Sequence, residues 1–95
     1  MPAYVIVQVS VSHPEQFEKY RAASPATVAA AGGRYIVRTT ESVVLEGDAP
    51  PERTTVIEFG DRDAAMAWYH GEQYQQAREL RGGAADFRMY VVDGI

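Results

Sequence analysis

The spacing of apolar residues changes period four times along this chain, and the order of those changes excludes most folds. From Ala3 to Val11, the residues Val5, Val7, Val9 and Val11 alternate with Ile6, Gln8 and Ser10, the period of a strand. Ser12-His13-Pro14-Glu15 then reads as a helix start, with Pro14 suited to the first helical position and His13 where Asp or Ser would cap better. Phe17, Tyr20 and Ser24 follow at helical spacing. Pro25 is expected to stop or kink this helix, leaving Ser24 to cap a short second segment that ends at Gly32-Gly33. A second strand is expected from Arg34 to Thr40, continuing through Ser42 to Glu46 after a bulge near Thr40-Glu41. Gly47 to Glu52 is a loop rich in turn formers, and Arg53 to Phe59 is a third strand that closes a hairpin with the second. A broken helix from Asp61 to Arg81 and a last strand from Asp86 to Val92 complete the chain.

The order strand, helix, strand, strand, helix, strand is a split βαβ arrangement. It predicts an α+β domain with one four-stranded antiparallel sheet and the helices on one face. Large apolar residues must then point to the uncovered face as well. A second copy of the sheet would bury them, so a homodimer with sheets face to face is expected.

The Asp61–Arg81 stretch contains the one tryptophan and two of the six tyrosines. Asp61 suits the N-cap, and Asp63 adds a carboxylate to the first turn, where the helix dipole favours it. Ala65, Trp68 and Tyr69 share a face, Gly71 interrupts the helix, and helical spacing resumes with Tyr74, Ala77 and Leu80. Arg81 returns to the edge of that face two turns after Tyr74.

At 95 residues the chain suits a single domain, residues 1–95, with a modest core that a partner subunit would help. A hydrophobic content of 46% is that of a globular protein, and a net charge of -4 argues against nucleic acid or a membrane surface as partner. With no cysteine, disulfides, thiol chemistry and cysteine-ligated metals are excluded. No apolar run is long enough to span a bilayer, and the first residues enter a strand pattern without a secretion signal, so a cytoplasmic protein is expected.

The motifs also carry a resemblance over nearly the whole chain. They include Met-Pro-Ala-Tyr-Val-Ile at 1–6, Pro14-Glu15, Tyr20-Arg21, Pro25-Ala26-Thr27 and Gly32-Gly33-Arg34-Tyr35. Leu45-Glu46-Gly47, Glu58-Phe59, Ala67-Trp68-Tyr69 and Glu72 to Tyr74 continue the series. In order and spacing together they resemble the DUF1330 family, within the dimeric α+β barrel (ferredoxin-like) superfamily. The resemblance implies the ferredoxin-like fold and dimerisation and no reaction, because the family is one of unknown function. The chain departs from it at His70-Gly71, where a Ser-Pro or similar helix start is common, and at His13, where Asp is common.

Candidate site residues follow from residue type and position. Glu58 stands mid-strand on a strand that is central in this topology, so it must be paired or carry a raised pKa. Arg38 or Arg34 of the neighbouring strand is its expected partner. The sharper reading makes Glu58 a general acid or base and Arg38 the group that holds a carbonyl or anion. Tyr20, Trp68, Tyr69 and Tyr74 read as core or as a pocket between the sheet and the Asp61–Arg81 helix, with Arg81 and Arg21 as rim cations or anion clamps. His13 and His70 lack the spacing of a metal motif, so neither metal nor cofactor is expected. Two functions remain open. One is a cofactor-independent enzyme acting on a small aromatic or lactone-like substrate, which rests on fold analogy with superfamily relatives. The other is a non-catalytic dimer that binds a small ligand.

Overall fold

The computed structural model describes residues 1–95. Its elements are β1 (Ala3–Val11), α1 (Pro14–Ala30), β2 (Arg34–Thr39), β3 (Arg53–Phe59), α2 (Arg62–His70), α3 (Glu72–Arg81) and β4 (Ala85–Asp93). The sheet has the order β2-β3-β1-β4, and every neighbouring pair is antiparallel. This is the expected βαββαβ architecture, with β3 in the interior of the sheet.

Strand register assigns every strand residue to a face. Val5 pairs with Ile57 and Val91, and Val7 pairs with Thr55 and Met89, so these residues share the inner face toward the helices. Val5, Val7, Val9, Ile57 and Phe59 are buried there against Phe17, Tyr20, Val28, Ala65 and Trp68. The outer face carries Tyr4, Ile6, Val56, Tyr90 and Val92 in register across the three strands β3, β1 and β4. Tyr90 and Val92 are exposed, and no helix covers this side.

The helices form largely for the expected reasons. The Asp61 carboxylate accepts a hydrogen bond from the Ala64 amide at 2.8 Å, which caps α2. Gly71 separates α2 from α3. A Cβ there would stand 2.9 Å from the Ala67 carbonyl oxygen, so a side chain does not fit the break. In α3 the buried face is Tyr74, Ala77 and Arg81, while Leu80 lies exposed. Arg81 is therefore at the centre of the face whose edge the sequence assigned to it.

Three local expectations are corrected. α1 runs through Pro25 as one helix. Its buried stripe of Phe17, Tyr20, Ser24, Thr27 and Val28 is continuous at helical period, and this packing outweighs the loss of one backbone donor. The Thr27 hydroxyl donates to the Ser24 carbonyl at 2.7 Å, across the proline. Second, residues 42–46 form no strand. β3 begins at Arg53 and offers them no partner, and Val43 and Leu45 stand exposed. Third, the bulge falls between Tyr35 and Val37 and not at Thr40. Tyr35 pairs with inward Ile57, Val37 with outward Val56 and Arg38 with inward Thr55, so β2 changes phase within six residues.

Candidate functional site

The phase change in β2 sends Arg38 to the inner face, and with it a cleft opens between α1 and the sheet. The cleft is narrow, with an interior volume of about 70 Å³, and it is open to solvent. Five aromatic side chains line it: Phe17 and Tyr20 from α1, Tyr35 from β2, Trp68 from α2 and Phe87 from β4. Val7, Val9, Ile57 and Met89 form its sheet floor, and Ser24 and Thr55 add hydroxyls. Three arginines, Arg21, Arg38 and Arg53, also line it, and no carboxylate or imidazole does.

The arginines differ in how they are paired. Arg21 meets Glu18 on its own helix at 3.4 Å, an exposed pair of little energetic weight. The Arg38 guanidinium sits 4.5 Å from the Tyr35 ring centre and has no carboxylate within ion-pair distance. The Arg53 guanidinium lies 5.2 Å from the Phe17 ring centre. Its Nε is 3.5 Å from Glu52 Oε1, an ion-pair distance without hydrogen-bond alignment, so this buried donor is left unpartnered. Ser24 meets the Tyr35 hydroxyl at 3.2 Å on the same wall.

Behind the cleft lies a second aromatic cluster that is closed. Trp68 and Tyr74 are buried, with ring centres 4.3 Å apart, and Tyr69 packs 5.4 Å from Tyr74. The Trp68 indole donates to the Thr27 hydroxyl at 3.0 Å. Arg81 donates to the Tyr74 hydroxyl at 3.0 Å, and that hydroxyl lies 2.9 Å from the hydroxyl of Tyr20. The Arg81 guanidinium also stacks 3.6 Å from the Phe87 ring centre. Burial, reinforced by Tyr74, pushes the Tyr20 phenol well above its ordinary range, and Arg81 opposes this only in part. Arg81 is thus a buried cation in an aromatic and phenolic setting.

A third space, about 250 Å³, runs between α2 and the β4 edge, lined by Val5, Met66, Trp68, Tyr69, His70 and Tyr90 among others. A shallower groove of about 390 Å³ lies at the Gly71 break, lined by Thr27, Trp68 and Tyr74 among others, and neither space brings an arginine to an apolar wall. His70 is exposed at the rim of the space beside β4 and His13 is exposed at the start of α1. No group of three or more His, Asp or Glu side chains converges anywhere in the chain.

The residues singled out from sequence are therefore divided among four places. Tyr20, Arg38 and Trp68 meet at the α1 cleft. Tyr69 lines the α2 groove, while Tyr74 and Arg81 belong to the closed network. Glu58 is not brought to Arg38. It pairs with outward Tyr4 and Arg34, and the Arg34 Nε donates to its carboxylate at 2.7 Å on the outer face. The reason is the bulge, which puts Arg38 on the opposite side of the sheet. Sequence reasoning passed over Tyr35 and Arg53 as site residues. Arg53 had a readable signal, because it shares the phase of Ile57 and Phe59 and so places a cation on the apolar side of an interior strand.

Solved structures of similar shape accompany this geometry. RPA0582, a protein of unknown function from Rhodopseudomonas palustris, superposes with a TM-score of 0.79 at 16% identity, covering 99% of this chain and 82% of its own. A dimeric ferredoxin-like protein of unknown function from Jannaschia sp. CCS1 gives 0.78 at 10% identity, covering 99% and 100%. SnoaB, a cofactor-independent oxygenase from Streptomyces nogalater, gives 0.70 at 15% identity, covering 99% and 93%. At such identities the likeness is one of fold. No curated protein matches the chain. No helix is long and apolar enough to cross a membrane. The family described as domain of unknown function (DUF1330) matches residues 2–95, and this ferredoxin-like chain belongs to it.

Proposed function

We propose that the chain acts as a homodimer joined through its outer sheet faces, and that each protomer binds a small organic molecule in the cleft between α1 and the inner sheet face. The observation that carries the site is the lining itself, in which five aromatic side chains meet three arginines and no acid. Apolar walls with a few convergent polar groups are the usual form of a small-molecule site. Tyr20, Arg38 and Trp68 are its ligand-binding residues in this reading, joined by Phe17, Tyr35 and Arg53. Glu58, ion-paired with Arg34 on the outer face, then serves the seam between protomers and moves no proton. The seam is supported by the apolar band of Tyr4, Ile6, Val56, Tyr90 and Val92 and by the dimeric state of the Jannaschia protein.

The second reading is a cofactor-independent enzyme, which the fold shared with SnoaB favours. In that version the guanidiniums stabilise negative charge on a substrate that supplies its own acidic proton, since no carboxylate or imidazole lines the cleft. The binding reading asks less of the same residues and is the one we adopt. A fragment screen by amide-resolved NMR tests it, with light scattering on the same sample. Fragments that shift Phe17, Tyr35 and Trp68, on a particle of twice the 10.5 kDa chain mass, are expected. Shifts confined to the outer sheet face or to the α2 groove would remove the cleft as the site. A single-chain mass at micromolar concentration would remove the dimer.

A further inference from the structure

We infer that the ligand of the α1 cleft is an organic anion, a carboxylate or enolate on an apolar body, held by Arg53 and Arg38. The inference rests on the cleft being the ligand site and adds the chemistry of what enters it.

The two arginines stand where one anionic head can meet both. Arg38 is opposite Thr55 in the register, and Arg53 is two residues earlier on the same inward side of β3. They are therefore diagonal neighbours across one strand pair, roughly 7–8 Å apart at the backbone. Both guanidiniums lie near aromatic rings, Arg38 against Tyr35 and Arg53 against Phe17. Such stacking presents the guanidinium's N–H edge to a ligand and limits the conformational freedom lost on binding. Neither is neutralised by a well-made ion pair, and Arg53 keeps a buried Nε–H without an acceptor. Two like charges this close, with a desolvated donor between aromatic walls, are relieved by an anion that accepts from both.

The walls of Phe17, Tyr20, Tyr35 and Phe87 suit an apolar body on the ligand. The neutral lining of Val7, Val9, Phe17 and Met89 deeper in the cleft excludes a second charge at the far end of the ligand.

Benzoate and benzamide are the probes, equal in shape and different in charge. They are titrated at matched millimolar concentrations against the full chain, followed by amide shifts of Phe17, Tyr35 and Trp68. Benzoate is expected to shift these residues and bind at least about tenfold more tightly than benzamide. Arg53→Met is expected to reduce that preference to severalfold or less, and Arg53→Lys to restore part of it. Arg38→Met, on the exposed edge strand, is expected to reduce the preference severalfold and stands in should Arg53→Met fail to fold. Equal binding of the two probes in the cleft overturns the anion assignment and leaves the cleft as the site. Absence of cleft shifts with either probe overturns both.

Discussion

The helical layer holds two aromatic clusters of similar composition that have opposite fates. Under Gly71, Trp68, Tyr69 and Tyr74 stack with Arg81 close by, and nearly every polar atom finds a partner inside the protein. Beside α1, Phe17 and Tyr35 join Tyr20 and Phe87, which both clusters share, around Arg38 and Arg53, and the buried Arg53 Nε is left without an acceptor. Residue type does not separate the two. Partner accounting does: where the indole, hydroxyl and guanidinium groups are mutually paired, the cluster is core, and where a donor remains free next to open volume, the cluster has the form of a candidate site.

That contrast gives predictions of decreasing size. Trp68→Ala, in the closed cluster, should cost about 3–5 kcal/mol in a denaturant melt, the range for a large buried aromatic. A loss below about 1 kcal/mol would mean the closed cluster is not closed. Tyr74→Phe removes the acceptor of the buried Arg81 and should cost about 1–3 kcal/mol, the penalty of stranding a buried polar group. The same measurement on Tyr20→Phe should give less, since no guanidinium donates to that hydroxyl.

The third prediction uses pH. Burial raises the Tyr20 pKa above its ordinary 10.0, so the folded protein holds this proton more tightly than the unfolded chain does. The associated stability is fully present below pH 10 and is lost as pH climbs toward the folded-state value. Above pH 10 the wild type should lose about 1.4 kcal/mol more per pH unit than Tyr20→Phe, in urea melts repeated across alkaline pH. Parallel curves for the two proteins would place Tyr20 in water.

The smallest effect belongs to the open cluster. Arg53→Met should change stability by less than about 1 kcal/mol, because its pairing with Glu52 is poorly aligned and partly exposed. A large loss in the same melt would make Arg53 structural and merge the two clusters into one.

Much of the fold was legible in the chain because it rests on period. Val5, Val7 and Val9 are buried as their alternation requires, Asp61 caps α2, and Gly71 breaks the second helix. The site was less legible because it rests on phase and pairing. Arg34 to Arg38 alternates cleanly in sequence, and nothing in those five residues marks Ile36 as the extra one. Glu58 and Arg38 therefore read as neighbours although they lie on opposite faces. Pro25 misled in another way, since a local rule about helix interiors yielded to five buried side chains on one stripe. Arg81 was expected at the water's edge, and its burial depends on Tyr74 and Phe87, which come from different elements.

The single extra residue in β2 also separates two kinds of change in the sequence. Were the strand regular, with Ile36 paired like its neighbours, Arg34, Ile36 and Arg38 would all face the same way, and any substitution among them would tug on one surface. With the bulge, Arg34 answers to the outer side through Glu58, while Arg38 answers to the inner side through Tyr35. An edge strand of six residues thus reports to two surfaces at once. A substitution at Arg38 can therefore change the lining of the cleft without touching the Arg34–Glu58 pair on the other side of the sheet.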